Sequence, residues 1–259
     1  MEHLKYKLTA LILCKNEEAT LAACLSSLSF CDTTIVADDG SSDASVAIAS
    51  EAGATVITLF PTDSFATKRN KAMEIVQEGW VLFVDADEIV DSILQHEIQK
   101  AVQRDDMDGF FITRKDTFLG RKLKYGETGS MWLLRLARVG KGEWKRCVHE
   151  QWAVSGKVSR ITHGELLHNP HPTLESFFST INTYTDLEMK ERSVEVRTKA
   201  FAYHIALFQL FVYTLGKFIY NYGFKLGFLD GIEGFFHAYC MSIHSLLVRI
   251  KTLEYIRSL

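Results

Sequence analysis

The sequence predicts an α/β fold: a mostly parallel sheet flanked by helices, followed by a C-terminal α-helical extension. Three observations carry that expectation. Apolar runs of five to seven residues alternate with helical patterns through the first half of the chain. The connections between them are short, as right-handed β-α-β windings require. After Pro172 the composition changes to polar and then aromatic-rich stretches without strand-like runs. The expected division is residues 1–172 for the α/β domain and 173–259 for the extension.

Each element has its own signal. Leu8–Cys14 is an unbroken apolar run and reads as a first strand; it ends in Lys15-Asn-Glu-Glu and is too short for a secretory signal. Glu17–Leu28 places Leu21, Cys24, Leu25 and Leu28 on one helical face. Thr33–Ala37 is a second strand. The turn Asp38-Asp39-Gly40-Ser41-Ser42-Asp43 follows, with Asp43 as N-cap of a helix Ala44–Ala52 that Gly53 ends. Thr55–Leu59 is a third strand, broken by Pro61, and Ser64 caps a helix running to Glu78. Trp80–Val84 is a fourth strand, apolar throughout and so expected to be parallel and covered on both faces. Asp91 or Ser92 starts a further helix to about Gln103, Gly109–Thr113 is a fifth strand, and Trp132–Arg138 alternates like a sixth.

Composition narrows the function classes. With 259 residues and 47% hydrophobic content the chain can build a sizeable core. A net charge of -3 gives no reason to expect a nucleic-acid partner. The five cysteines are odd in number and scattered, which suits reduced, mostly buried thiols of a cytoplasmic protein.

The chemistry concentrates at two strand ends. Strand four runs directly into Asp85-Ala-Asp87-Glu88. Ligands of open α/β sheets bind just outside the carboxyl ends of strands. Extended backbone would point Asp85 and Asp87 to the same side, where two carboxylates repel unless a cation lies between them. Hard oxygen ligands of this kind suit Mg²⁺ or Mn²⁺. An acidic turn with Asp91 capping the next helix explains the same residues without a ligand. The Asp38–Asp43 turn ends strand two and can share a rim with Asp85; a carboxylate there can accept hydrogen bonds from a base or a ribose. Neither a Gly-x-Gly-x-x-Gly nor a Walker sequence is present.

Taken together, Leu13-Cys-Lys-Asn-Glu-Glu18, Val36-Ala-Asp-Asp-Gly-Ser-Ser-Asp43, Lys68-Arg-Asn-Lys-Ala72 and Phe83-Val-Asp-Ala-Asp-Glu88 occur in the order and spacing of the family 2 glycosyltransferases. The chain resembles that family, of the GT-A (nucleotide-diphospho-sugar transferase) fold, over roughly its first 170 residues. Within it the chain is most similar to the lipopolysaccharide-core β-1,4-glucosyltransferases, with which it shares Val148-His-Glu150 and the aromatic C-terminal segment. The resemblance implies a role for each matching residue. Asp39 would hold the uracil of a UDP-sugar, with Asp38 supporting the turn and the backbone of Cys14–Asn16 bordering the base. Arg69 and Asn70 would face the nucleotide or sugar, although Arg69 read by itself also fits a solvated helix face with Lys68 and Lys71. Asp85 would contact the ribose or donor sugar and Asp87 the metal bridging the diphosphate, with Asp85 and His168 completing the metal set. Arg135 would lie near the site, and Glu150 would be the catalytic base that takes the acceptor hydroxyl proton.

The activity so implied is metal-dependent, inverting transfer of a hexose from a nucleotide-sugar, UDP-glucose foremost, to a lipid-linked saccharide such as the lipopolysaccharide inner core. The same fold also serves polyprenyl phosphate, capsule or protein-glycan acceptors, and a non-catalytic nucleotide-sugar-binding membrane scaffold is the alternative of another class. The C-terminal part bears on this choice. Thirteen aromatic residues fall between Phe201 and Tyr239, and from Arg197 onward seven Lys/Arg face three Asp/Glu. Ala200–Leu215 is shorter than a membrane span of roughly 20 residues. An interfacial segment attracted to an anionic membrane surface by Lys199, Lys217, Lys225, Arg249 and Lys251 is expected. That would make the protein peripheral at the inner face of the cytoplasmic membrane. Packing on the core, or a homodimer through the C-terminal helices, is the competing use of the same segment.

Overall fold

The structure, a computed structural model, describes residues 6–59, 64–145, 151–169, 173–196 and 202–258. It divides into two units, residues 1–114 with 132–168, and residues 115–131 with 169–259. The division differs from the boundary expected at 172, because the segment 115–131 belongs with the C-terminal helices.

The first unit is wound as expected. Strands β1 (Leu8–Cys14), β2 (Thr33–Asp38), β3 (Thr55–Thr58) and β4 (Trp80–Asp85) form a parallel set in the order β3-β2-β1-β4, with helices α1 (Leu21–Ser27), α2 (Ser45–Glu51) and α3 (Phe65–Met73) between them. Their continuous apolar sequence has a physical cause: alternate residues enter two separate cores. Leu8, Ala10, Ile12, Trp80, Leu82 and Val84 pack in one core, and Leu11, Val81 and Phe83 in the other. Full burial of each such side chain contributes about 1.5–3 kcal/mol. Gly79 is obligatory before β4: its φ is 85°, and a Cβ there would lie 2.2 Å from the carbonyl oxygen of Lys7.

Beyond β4 the sheet turns mixed. A short strand β5 (Glu88–Val90) leads to α4 (Ser92–Ala101), whose N-cap Asp91 accepts the Leu94 N–H at 2.7 Å. Strand β6 (Gly109–Phe118) is longer than expected and crosses into the second unit, where a two-residue strand β7 (Arg121–Lys122) pairs with its end. Strand β8 (Met131–Arg138) runs antiparallel to β4, so β4 is parallel on one side only. A hairpin of β9 (Gly142–Lys145) and β10 (Gln151–Val154) lays Trp144 and Trp152 in a stack, centroids 5.6 Å apart, with Phe83 edge-on to both. Strand β11 (Val158–Arg160) pairs with β6, and β12 (Leu166–His168) pairs antiparallel with β5.

The second unit is helical: α5 (Leu174–Val196), α6 (Ala202–Ile219) and α7 (Gly231–Ser258). A π-helical turn, Tyr220–Phe224, and a 3₁₀ turn, Gly227–Asp230, join α6 to α7. Phe118 and Leu123 of the inserted segment pack with Phe177, Ile181 and Cys240 in its core. Among the described residues no helix is long and apolar enough to cross a membrane. Cys14, Cys24, Cys31 and Cys240 are unbridged, and burial raises the pKa of each thiol.

Candidate active site at the carboxyl rim of the sheet

The strand registers bring the motifs to one level. Cys14 stands opposite Asp38, and Leu13 opposite Asp85. The loops that follow β1 and β2 are sewn together. Asn16, at φ 56°, accepts the Ser42 N–H on its side-chain oxygen at 2.8 Å and donates its own N–H to the Ser41 hydroxyl at 2.9 Å. The N–H groups of Glu17 and Glu18 donate to Ser45 and Asp43, and the Glu18 carboxylate accepts the Ala44 N–H. These commitments explain why α1 begins at Leu21 and not at Glu17: the first helical turn is spent on the neighbouring loop. Asp38 is buried, and its carboxylate accepts the N–H groups of Gly40 and Ser41 at 3.1 and 3.2 Å. It shapes the turn that carries Asp39, the supporting part expected of it. Gly40 has φ 80° and open space around it, so backbone conformation is what requires glycine there.

Asp39 faces the rim beside two cations. Lys68 Nζ lies 2.6 Å from its carboxylate and Lys15 Nζ 3.5 Å. Lys68 and Arg69 are both buried, so the solvated-face reading of α3 holds only for Lys71. Asn70 has a structural task. Its amide donates to the Trp144 carbonyl at 2.9 Å and accepts the Trp144 N–H at 2.8 Å, so it fastens α3 to the β9–β10 hairpin. Each end of the amide keeps one further donor or acceptor site beyond these two bonds.

Asp85 and Asp87 have different side-chain partners. The strand ends at Asp85, and a turn at 86–87 leads to Glu88. Asp85 accepts hydrogen bonds from Arg69 at 2.8 Å and Arg135 at 2.6 Å. Burial alone would raise its carboxyl pKa; the guanidinium groups of Arg135 and Arg69 overcome that and hold it well below the usual carboxylate range. Two arginines supply the countercharge of Asp85 here. Its place at the rim, with Arg69 and Arg135, still suits contact with a ribose or sugar hydroxyl.

Asp87 and His168 do come together. Pairing of β12 with β5 sets His168 opposite Glu88, and its Nε2 lies 3.1 Å from the Asp87 carboxylate. Among the described residues no group of three His, Cys, Asp or Glu side chains is arranged around a common point. A carboxylate oxygen and an imidazole nitrogen suit Mn²⁺, and two protein ligands fit an ion whose remaining positions are filled by substrate phosphates and water. Nearby, burial raises the carboxyl pKa of Glu17, the Thr20 hydroxyl opposes this, and the charges of Asp87, Asp43 and Asp85 add to the rise.

Two residues went unassigned in the sequence. Lys68 is the nearest cation to Asp39; its burial was not visible from the mixed charge of its helix. Glu88 is wholly enclosed. It accepts the Asp85 N–H at 2.9 Å and pairs with Arg135 at 3.1 Å and Arg114 at 3.5 Å. Burial raises its pKa, partly offset by Arg135. Glu150, with Val148 and His149, lies outside the described residues.

Comparison with known proteins follows this geometry. The model of glycosyl transferase family 2 matches residues 9–158. Over 257 residues the chain is 27% identical to the lipopolysaccharide core biosynthesis glycosyltransferase LpsC of Rhizobium meliloti (strain 1021), spanning 96% of this chain and 93% of that protein. It is 37% identical over 94 residues to an uncharacterized glycosyltransferase of Rickettsia felis, 36% of this chain and 33% of that one. Glucosyl-3-phosphoglycerate synthase from Mycobacterium tuberculosis, solved in complex with Mn²⁺, UDP and glucosyl-3-phosphoglycerate, aligns with a TM-score of 0.35 and 18% identity over 44% of each chain. The chain thus spans about a third of the Rickettsia protein and less than half of the synthase.

Proposed function

The chain belongs to glycosyl transferase family 2, and on that premise we propose that it moves a hexose, glucose from UDP-glucose, onto a lipid-linked saccharide of the lipopolysaccharide core with inversion at the anomeric carbon. The observation that carries the donor half is the Asp87–His168 pair at 3.1 Å, set on the same rim as Asp39 with Lys68 and as Asp85 between its two arginines. The acceptor half rests on the Rhizobium relative, named for lipopolysaccharide core biosynthesis and matched over nearly its whole length. Such an acceptor sets the work at the inner face of the cytoplasmic membrane.

Each residue then has a task. Asp39 accepts a hydrogen bond from the imide N–H of uracil, which frees Lys68 to turn toward the diphosphate. Asp85, Arg69 and Arg135 hold the ribose and sugar hydroxyls in a fixed pattern of charge. Asp87 and His168 would hold a divalent cation, which supplies Lewis-acid neutralisation of the departing diphosphate. Glu150 takes the proton of the acceptor hydroxyl as its oxygen bonds to the anomeric carbon and the bond from that carbon to the diphosphate breaks.

Calorimetry of UDP binding with and without Mn²⁺ tests the donor reading. Mn²⁺ is expected to tighten UDP binding to the native chain, and Asp87→Ala to abolish that gain while leaving the melting temperature nearly unchanged. Equal Mn²⁺-dependent affinity in native and Asp87→Ala protein sinks the assignment.

A further inference from the structure

Building on the lipid-linked acceptor read above, we propose that the turn between α6 and α7, with the basic segment at 121–126 fastened to it, docks the protein on an anionic lipid surface. The apolar part is explicit in the structure. On α6, Phe208, Phe211, Leu215 and Ile219 are 68%, 69%, 63% and 46% exposed, and their three- and four-residue spacing sets them on one side. At the turn Phe224 is 79% exposed, with Phe228 and Leu229 beside it, and Ile232, Phe236 and Tyr239 continue the stripe along α7. Around the turn the rings touch: Phe235 lies within 6.4 Å, centroid to centroid, of Phe218, Tyr222, Phe236 and Tyr239, and Tyr222 lies 6.3 Å from Phe228. Soluble monomers rarely leave so large an apolar patch uncovered. Its aromatic character suits the level of lipid headgroups, where rings are favoured.

The charge that accompanies the patch is not the set expected from sequence. Lys217 is committed to Glu127 and Lys251 to Asp186 at 2.6 Å, while Arg249 is buried, stacked on Tyr213 and bonded to Ser245. Lys199 lies outside the described residues. Lys225 alone of that set is described as exposed, at the turn itself, over the Tyr220 ring. The folding of 121–126 replaces the missing charge. Asp230 accepts the N–H groups of Lys124 and Tyr125 at 3.0 and 2.8 Å, the Lys225 carbonyl accepts the Gly126 N–H at 2.9 Å, and Arg121 pairs with Glu233. Exposed Lys124 is thereby brought to the same turn as Lys225, within the unit that has 13 Lys/Arg against 10 Asp/Glu.

This charge decides the occupant. A two-fold pairing of copies would set the same patch, cations included, against itself. An anionic headgroup layer neutralises Lys124 and Lys225 while it takes up the rings. Because no described helix can span a bilayer, the contact is interfacial.

Co-sedimentation of the full chain with phosphatidylcholine vesicles, with or without phosphatidylglycerol, tests the proposal. The chain is expected to bind the anionic vesicles, less so as salt rises. Phe224→Ser with Phe228→Ser is expected to weaken binding about tenfold or more. Lys124→Glu with Lys225→Glu should erase the preference for anionic vesicles, whereas Lys251→Gln should not. No binding by the native chain at low salt overturns the proposal, as does full binding by the phenylalanine variant. Light scattering that finds a dimer which this variant splits, without vesicle binding, assigns the face to a second copy and overturns it equally. UDP calorimetry on the same variants should be unchanged; failure of UDP to bind the native chain would fault the donor reading and leave the vesicle result standing.

Discussion

Glu88 has no exposure to solvent, yet its carboxylate meets Arg135, Arg114 and the Asp85 N–H. Asp85 is in turn balanced between Arg69 and Arg135. Breaking a buried ion pair by removing one partner costs about 3–5 kcal/mol, because the other charge is left uncompensated. Glu88→Leu is therefore expected to lower unfolding free energy by about that amount in urea titrations, and Glu88→Gln by less, since the amide oxygen still accepts the Asp85 N–H. A loss below about 1 kcal/mol for Glu88→Leu would show that the two arginines find other countercharges. This is also where sequence reading stopped. Motif spacing singled out Asp39, Asp85, Asp87 and His168, because the chemistry needs those residue types near strand ends. It could not tell which carboxylate would face arginines and which a histidine. That depends on β8 and β12, whose arrival beside β4 and β5 is a matter of long-range pairing. The structural task of Asn70 was hidden for the same reason: its partner is the main chain of Trp144, seventy-four residues on.

Helix α7 shows the limit at the level of elements. Its buried side includes Gly234, Ala238, Ser242, Ser245 and Thr252, small or polar residues that leave no apolar stripe to read. The strands β1, β2 and β4 were legible because burial on both faces leaves continuous apolar runs; β5, β7 and β12 are two or three residues long and exist only through their neighbours. One residue of α7 makes the helix sensitive to acid. His237 is buried against Phe118, with its Nε2 3.1 Å from the Thr128 hydroxyl. Burial lowers its pKa from 6.5; Asp116, Glu127 and Asp230 oppose the shift and Lys217 adds to it. A depressed histidine favours the fold while neutral. Its contribution is complete above the ordinary value near 6.5 and is lost as pH falls through the lowered one. Scanning calorimetry should find the melting temperature of the native chain falling between pH 7.5 and 5.5 more steeply than that of His237→Gln. Parallel slopes would remove His237 from the account.

The whole molecule is cut differently from the linear sequence. Composition marks a change after Pro172, but contacts assign 115–131 to the later unit. No local signal announces this, because the segment's partners lie up to about 120 residues away, from Phe177 to Cys240. Truncation after residue 172 would strip Phe118 and Leu123 of those partners and Lys124 and Tyr125 of the Asp230 carboxylate. The shortened chain is expected to bind a dye for exposed apolar surface and to melt below the full chain; an equal melting temperature would show that 115–131 needs no partner. The same interleaving has a consequence for how the protein is made. A ribosome adds about 5–20 residues each second, so the last ninety-one residues, 169–259, take roughly 5–20 s to appear. Over that interval the companions of Phe118 and Leu123 arrive in stages, Phe177 and Ile181 within the first thirteen residues and Cys240 near the end. The nascent chain thus carries an apolar middle whose cover is completed only when the helix bearing Cys240 has been made.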